Sequence, residues 1–318
     1  LKAPVANIEF GDPALAPKPP TAKEALAALA AAPSMLAEVD KVAAVNPFYA
    51  TLREAALANG AGTDPFVRGT LDRLRAVPAK GKVILVDTAT QRMMMVEDGQ
   101  VVDTMKVIVG RARTPTPNIA GTIHYVTLNP YWNIPLDVVK KSIAPLVIKR
   151  GVGYLKAARY VTTDKWGVAA QPVDPASIDW KAVAAGEVNA YVRQLPGPNN
   201  MMGKMKFGFV NSTDIFLHDT PRKKLFDKAV RNLSMGCVRL EAADRLAAWL
   251  LGSAPVLGDD APEQQANVAL GVPVYTLALT ANVDAGKLVF AEDIYGYDKP
   301  GQALAAAAPA GPVADDGN

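Results

Sequence analysis

The chain of 318 residues is half apolar and one-fifth charged, with 24 glycines and 25 prolines, a globular, turn-rich profile that is neither membrane-like nor disordered throughout. Its net charge is only +3 with Lys and Arg scattered, so it offers no basic face for nucleic acid, and no apolar run is long enough to span a bilayer. One cysteine excludes an intramolecular disulfide, and two histidines leave a Cys/His zinc site short of ligands.

Because the first residue is Leu1, a signal peptide or anchor can precede the chain, and its absence argues nothing. Residues 1–20 read as a leader, exposed and semi-rigid over the Pro-rich stretch from Gly11 to Pro20. From 21 to 81 the pattern is helical. Thr21 caps a run with Leu26, Leu29 and Ala30 that Pro33 stops. Phe48, Leu52 and Ala55 form a second run ending near Asn59-Gly60, and Leu71 and Leu74 a third closing at Pro78. Short Ala-rich helices of this kind pack on a neighbour but make a poor core alone.

At Lys82 the period changes to that of strands. Val83–Asp87 is a buried-strand run, Met93–Val96 follows, and Glu97-Asp98-Gly99 turns into a strand over Val101–Val109. The three methionines fit core strand and no metal or cofactor feature. Thr122–Leu128 is a further strand, in which His124 reads as a satisfied structural histidine. Residues 136–198 look inserted, with a helix near Asp137–Lys149, a Gly-rich stretch at Gly151–Gly153, and a loop region ending at Leu195-Pro196-Gly197-Pro198.

Strand signals resume at Lys206–Val210 and Asp214–His218. Helices follow at Lys223–Val230 and Glu241–Leu251, and the last strands at Val272–Leu279 and Lys287–Phe290. After Pro300 the composition is Ala/Pro/Gly-rich, so 301–318 read as a disordered tail. The fold class is α+β: a mainly antiparallel β domain over 82–300, carrying the insertion and preceded by a small helical scaffold.

Candidate chemistry concentrates in Phe216-Leu217-His218-Asp219-Thr220-Pro221 and Ser234-Met235-Gly236-Cys237-Val238-Arg239-Leu240. A lone cysteine is usually a small buried hydrophobe. Here His218 ends a strand and Cys237 falls in a Gly-containing turn just before a helix, so the intervening helix can bring the two together. A thiol beside a histidine and a helix N-terminus has a lowered pKa and is nucleophilic near neutrality. Gly236 permits a tight turn whose N–H groups can face a developing oxyanion. Arg239 can hold a substrate carboxylate or amide, or form a scaffold salt bridge. Phe216 projects from the same strand face as His218 and lines either the cleft or the core. Read alone, the pattern is that of a thiol acyl-transferase or hydrolase.

These two segments resemble the signature of the YkuD-type L,D-transpeptidases, a His followed by Ser-x-Gly-Cys-x-Arg. The resemblance extends over about Lys82 to Asp298, through Val107-Ile108-Val109-Gly110-Arg111 with Thr116-Pro117. Asn129-Pro130-Tyr131-Trp132-Asn133-Ile134-Pro135, Val173-Asp174-Pro175, Pro196-Gly197-Pro198-Asn199-Asn200 and Glu292-Asp293-Ile294-Tyr295-Gly296 are similar to the large enterobacterial-type branch. The resemblance implies the L,D-transpeptidase fold with 136–198 as a lid beside the active site. Met235 stands where the commonest family version has His, which leaves His218 as the nearby base. Only about Ala58 to Val67 separates the helices between which that branch inserts a peptidoglycan-binding module, so the module is expected to be missing.

The resemblance further implies Cys237 as nucleophile and His218 as base, the latter oriented by the backbone carbonyl of Asp219. The oxyanion would sit on N–H groups around Met235, Gly236 and Cys237, with substrate contacts at Arg239, Ser234, Trp132 and Phe216. The donor would be a peptidoglycan tetrapeptide stem, attacked at the diaminopimelate in position three with loss of D-Ala. An amine of a second stem would resolve the thioester, giving a 3–3 or a 1–3 crosslink. A related thiol hydrolase or L,D-carboxypeptidase is the alternative; an inert wall-binding protein would not need the His218/Cys237 pair. No metal or organic cofactor is required, and β-lactams of the carbapenem class are the expected covalent inhibitors. A monomer in the periplasm or cell envelope, with no nucleic-acid partner, completes the expectation.

Overall fold

The chain enters its main sheet earlier than its sequence suggests. A computed structural model describes residues 7–43, 45–167, 169–255 and 261–298. Within the expected leader, strand β1 (Glu9–Phe10) pairs in parallel with Ile119–Ala120. Ile8, Phe10 and Leu15 pack against a buried apolar cluster, which is why this stretch is held down. Residues 1–6 and the expected tail at 301–318 lie outside the described residues.

Four helices follow: α1 (Ala22–Ala31), α2 (Met35–Ala43), α3 (Pro47–Ala58) and α4 (Pro65–Leu74). Thr21 and Glu24 form a reciprocal capping box on α1, while Asn46 and Asp64 cap α3 and α4, each followed by Pro at the first helical position. Helix α2, which the sequence reading did not separate, is largely exposed; Met35, Leu36 and Val39 face solvent. Helices α3 and α4 place Leu52, Ala56, Val67 and Leu74 on the sheet.

Strands β2 (Lys82–Asp87), β3 (Arg92–Glu97), β4 (Gln100–Gly110) and β5 (Ile119–Leu128) come next. Successive side chains of β2 serve opposite faces. Ile84 and Val86 enter one cluster with Met93, Met95, Val107 and Leu217, and Val83 and Leu85 enter the other beneath α3 and α4. Burial on both faces explains the unbroken apolar run.

The segment after β5 is a unit with its own small core. Its sheet has the order β6 (Trp132–Asn133), β8 (Tyr191–Gln194), β7 (Tyr160–Thr163). Helix α5 (Leu136–Val138) runs through a π turn into α6 (Ala144–Arg150), and α7 (Gly153–Ala157) and α8 (Trp180–Ala185) complete it. Ile134, Val139, Val147, Leu155, Trp180 and Val192 form a third cluster, distinct from the other two.

The chain then returns to the main sheet with β9 (Met205–Phe207), β10 (Leu217–His218), β11 (Asn232–Ser234) and β12 (Val238–Leu240). Helix α9 (Ala243–Leu251) buries Leu246, Ala247 and Leu250 in the first cluster, and β13 (Gln264–Leu277) precedes the hairpin of β14 (Ala281–Asp284) and β15 (Lys287–Phe290). The main sheet runs β1-β5-β13-β2-β3-β4-β12-β10-β9, with β11 beside β4. Strand β9 also pairs with β5, so the sheet closes on itself. Most neighbours are antiparallel, but β1/β5, β13/β2, β10/β12 and β11/β4 are parallel.

A buried clasp fastens the helices to the far end of the chain. Arg73 of α4 donates from Nη1 and Nη2 to the Asp298 carboxylate at 2.9 and 2.5 Å, and Thr280 Oγ1 donates to the same carboxylate at 2.5 Å. Gly69 lies so close to Asp298 that a Cβ there would collide with its carboxylate.

Candidate active site

Two very short strands carry the candidate residues. β10 ends on His218 and β12 begins immediately after Cys237, and they lie side by side in parallel with Leu217 opposite Val238 and His218 opposite Arg239. The Val238 N–H donates to the Phe216 carbonyl at 3.1 Å, extending the register so that Cys237 lies across from Phe216. Leu217 and Val238 are fully buried in the core. By alternation Phe216, His218, Cys237 and Arg239 share the other face.

The expected helix between them is a 3-10 turn over Lys223–Asp227, and a strand, β12, follows Cys237 directly. Helix α9 begins only at Ala243, so its N-terminus does not act on the thiol at close range.

The cysteine turn is fixed from within and below. Ser234 Oγ donates to the Cys237 carbonyl at 2.6 Å and accepts from the Gly236 N–H at 3.1 Å. Gly236 has φ +121°, a backbone conformation that calls for glycine, and a Cβ there would also press on Ile215 Cδ1 at 2.8 Å. Thr116 Oγ1 donates to the Gly236 carbonyl at 2.5 Å and accepts from the Gly110 N–H at 2.9 Å. Thr114 Oγ1 donates to the Ser234 carbonyl at 3.2 Å.

His218 is 5% exposed, and its Nδ1 lies 2.5 Å from the Asp219 carbonyl oxygen. A carbonyl only accepts, so Nδ1 carries the hydrogen and Nε2 the lone pair. Asp219 is held in turn by Lys223 Nζ at 2.6 Å and the Lys204 N–H at 2.9 Å. The Phe216 ring lies 5.8 Å from the imidazole, centroid to centroid.

Burial, then the nearby Arg239 charge, pushes His218 down to about 3. Burial pushes the Cys237 thiol up to about 11, against weaker lowering by the Phe216 backbone, Arg239 and Lys206. The lowered thiol pKa expected from the sequence is therefore not found in the resting site. Burial thus shifts both the thiol and the imidazole toward their neutral forms, and Cys237 Sγ donates to the Asp214 carbonyl at 3.9 Å.

The predicted residues are not all gathered here. Cys237, His218, Arg239, Phe216 and the Asp219 carbonyl meet on one face, with half-buried Met235 in the adjoining turn. Ser234 is 1% exposed, with its hydroxyl engaged inside the turn, so it shapes the turn and does not face a substrate. The Gly236 N–H is likewise directed to Ser234. Trp132 pairs with Gln194 and packs in the inserted unit, because the apolar cluster there claims its ring. His124 is an exposed residue of β5, not a buried structural one. Two residues here carry no signal of their role in the sequence: Thr116, which lies within the Thr116-Pro117 match, and Lys206, which is registered opposite His218. Among the described residues no cluster of three or more His, Cys, Asp or Glu side chains could hold a metal ion.

Residues 81–274 match the family model described as the L,D-transpeptidase catalytic domain, YkuD. The chain belongs to that family. A Haemophilus influenzae protein provisionally named an L,D-transpeptidase is 34% identical over 235 residues, which are 71% of this chain and 47% of that protein. The chain thus spans about half the length of this curated relative. It is also similar to solved L,D-transpeptidase structures. Mycobacterium tuberculosis L,D-transpeptidase 3 is 12% identical over 62% of this chain and 61% of that one, with a TM-score of 0.32. The Enterococcus faecium L,D-transpeptidase catalytic domain is 14% identical over 62% of this chain and 98% of that one, with a TM-score of 0.27. Overlaps this partial leave the assignment to the sequence match. In this L,D-transpeptidase family member the matched segment contains both His218 and Cys237 but omits α3, α4 and Asp298, which complete the packing around it.

Proposed function

We propose that the protein crosslinks peptidoglycan stems through a thioester on Cys237. The carrying observation is the parallel register of β10 and β12, which sets Cys237 beside Phe216 and His218 on one face. Nε2 of His218 takes the Sγ proton as sulfur bonds to the carbonyl carbon of diaminopimelate in position three of a tetrapeptide. The C–N bond to the terminal D-Ala breaks, and that nitrogen leaves with the proton from His218. An amine of a second stem then attacks the thioester, gives a proton to Nε2, and the sulfur departs and is reprotonated.

With the Gly236 N–H turned to Ser234, oxyanion stabilisation falls to the N–H groups of Met235 and Cys237. The inserted unit over 136–198 acts as a lid that restricts water, so an amine competes with hydrolysis. Its own apolar cluster, separate from the two of the main sheet, supports this reading. The acceptor is either the side-chain amine of diaminopimelate or the amino group of L-Ala, giving 3–3 or 1–3 links. Such a substrate places the protein in the periplasm or cell envelope, and an acylable thiol makes carbapenems covalent inhibitors.

The test is mass spectrometry of products from a purified disaccharide-tetrapeptide, with wild type, Cys237→Ala and His218→Ala. Crosslinked dimer from the wild type, absent with Cys237→Ala and strongly reduced with His218→Ala, is expected. Tripeptide alone from the wild type would make the protein a hydrolase, and dimer retained by Cys237→Ala would overturn the nucleophile.

A further inference from the structure

Basic side chains lie in one row across three strands of the site. Lys206 on β9 is registered opposite His218 on β10, and His218 opposite Arg239 on β12. Their neighbours Phe207, Leu217 and Val238 are buried in the core beneath, so the row projects from the face that carries Cys237. With strands about 4.8 Å apart, the Lys206 and Arg239 backbones stand about 10 Å from one another with the imidazole between them. Lys206 Nζ lies 5.0 Å from the centroid of the Phe216 ring.

This lysine is half-buried, and among the described residues no carboxylate forms an ion pair with it. Asp219, the carboxylate closest in sequence to His218, is already engaged by Lys223 and the Lys204 N–H. A partly desolvated ammonium with no carboxylate paired to it is electrostatically unfavourable until an anion joins it.

We infer that Lys206 and Arg239 form a two-cation cradle for a carboxylate of the donor substrate, with Lys206 selecting donors that carry a free carboxylate near the bond to be broken. The choice of donor rests on the transpeptidase reading above. The chemistry suits the pair: a guanidinium presents a planar fork to a carboxylate, and an ammonium adds a point charge. A tetrapeptide offers two such groups, the C-terminus of its last residue and the side-chain carboxylate of its third. Either one, once bound, would offset the two positive charges that add to burial in holding down the basicity of His218.

Binding measured by calorimetry in the Cys237→Ala background, where no turnover occurs, tests the cradle. Three donors are compared: the free tetrapeptide, the same peptide amidated at its C-terminus, and the same peptide amidated at the third side chain. One amidated donor should bind roughly ten- to a hundredfold more weakly than the free tetrapeptide, the range of a hydrogen bond to a charged group. Adding Lys206→Gln should weaken the free tetrapeptide by a similar factor and that amidated donor little further, while Lys206→Arg should restore most of the loss. The donor that loses affinity identifies the carboxylate. Equal affinity for all three donors, equal weakening of all three by Lys206→Gln, or no binding of any of them overturns the cradle. Carboxylate-selective binding combined with a wild type that forms no acyl-enzyme keeps the cradle and overturns the reaction instead.

Discussion

The Ser234 hydroxyl stands between two backbone groups of the cysteine turn, donating to the Cys237 carbonyl at 2.6 Å and accepting from the Gly236 N–H at 3.1 Å. Ser234→Ala leaves both groups buried without that partner, at a cost of about 1–3 kcal/mol. The same loss frees the nucleophile from its position, and misplacement of a reacting group lowers rates by roughly ten- to a hundredfold. We expect a lower urea midpoint together with slower acylation by a carbapenem. Unchanged acylation in a destabilised variant would separate the turn from the chemistry.

The resting thiol at about 11 and imidazole at about 3 have a kinetic signature. Alkylation by iodoacetamide reports the thiolate, and Cys237 is the only cysteine in the chain. The logarithm of its rate should climb steadily with pH past about pH 9, with no plateau near neutrality. Arg239 lowers both pKa values, so Arg239→Gln should raise the thiol further and slow alkylation at any given pH. A plateau between about pH 6 and 8 would reveal a standing thiolate–imidazolium pair.

The Arg73–Asp298 clasp is buried at both ends, with side-chain exposures of 2% and 3%. Removing one partner strands the other charge, and such losses run to about 3–5 kcal/mol. Arg73→Met should therefore destabilise strongly, whereas the double variant Arg73→Met with Asp298→Leu should recover much of the loss. Urea unfolding of the two variants checks the pair, and equal stabilities would show that the loss is one of packing alone.

Asp87 ends β2 at 2% exposure and accepts hydrogen bonds from Leu279 N–H, Ala89 N–H and Thr90 Oγ1 at 3.1, 3.0 and 2.5 Å. Burial outweighs these and pushes its carboxyl up to about 6 from 3.8. A raised folded pKa favours the folded state below the unfolded value, and that contribution is lost as pH rises through about 6. The part at stake between about pH 4 and 7 is on the order of 3 kcal/mol. Stability should thus rise on acidification across that window for this group, and Asp87→Asn should flatten the trend. Parallel urea midpoints of both proteins at the two pH values measure it.

What could be read from the sequence was whatever is written locally. Val83 to Val86 announced a strand buried on both faces, and Phe216 and His218 two residues apart announced a shared face. Strands of two or three residues carry no periodicity, so the parallel seating of β10 on β12, and Lys206 opposite His218, could not be seen in advance. The helix expected before Cys237 proved to be a 3-10 turn, because tertiary pairing on either side decided its path. The thiol pKa was misjudged for a related reason: sequence shows which charges are near, whereas burial depends on everything packed around them.

The clasp also bears on how the protein comes to be folded. Its two residues are 225 positions apart, and Leu52, Val67 and Leu74 likewise need Tyr275, Leu277 and Ala281 to cover them. At ordinary rates of synthesis, more than about ten seconds pass between the emergence of α4 and that of Asp298. During this time the N-terminal helices carry uncovered apolar faces and an uncompensated arginine. A stretch made early is sealed only late, so a chaperone that shields residues 47–74 should raise the yield of folded chain, and a stop just before Asp298 should leave a product that aggregates although its His218 and Cys237 segments are complete.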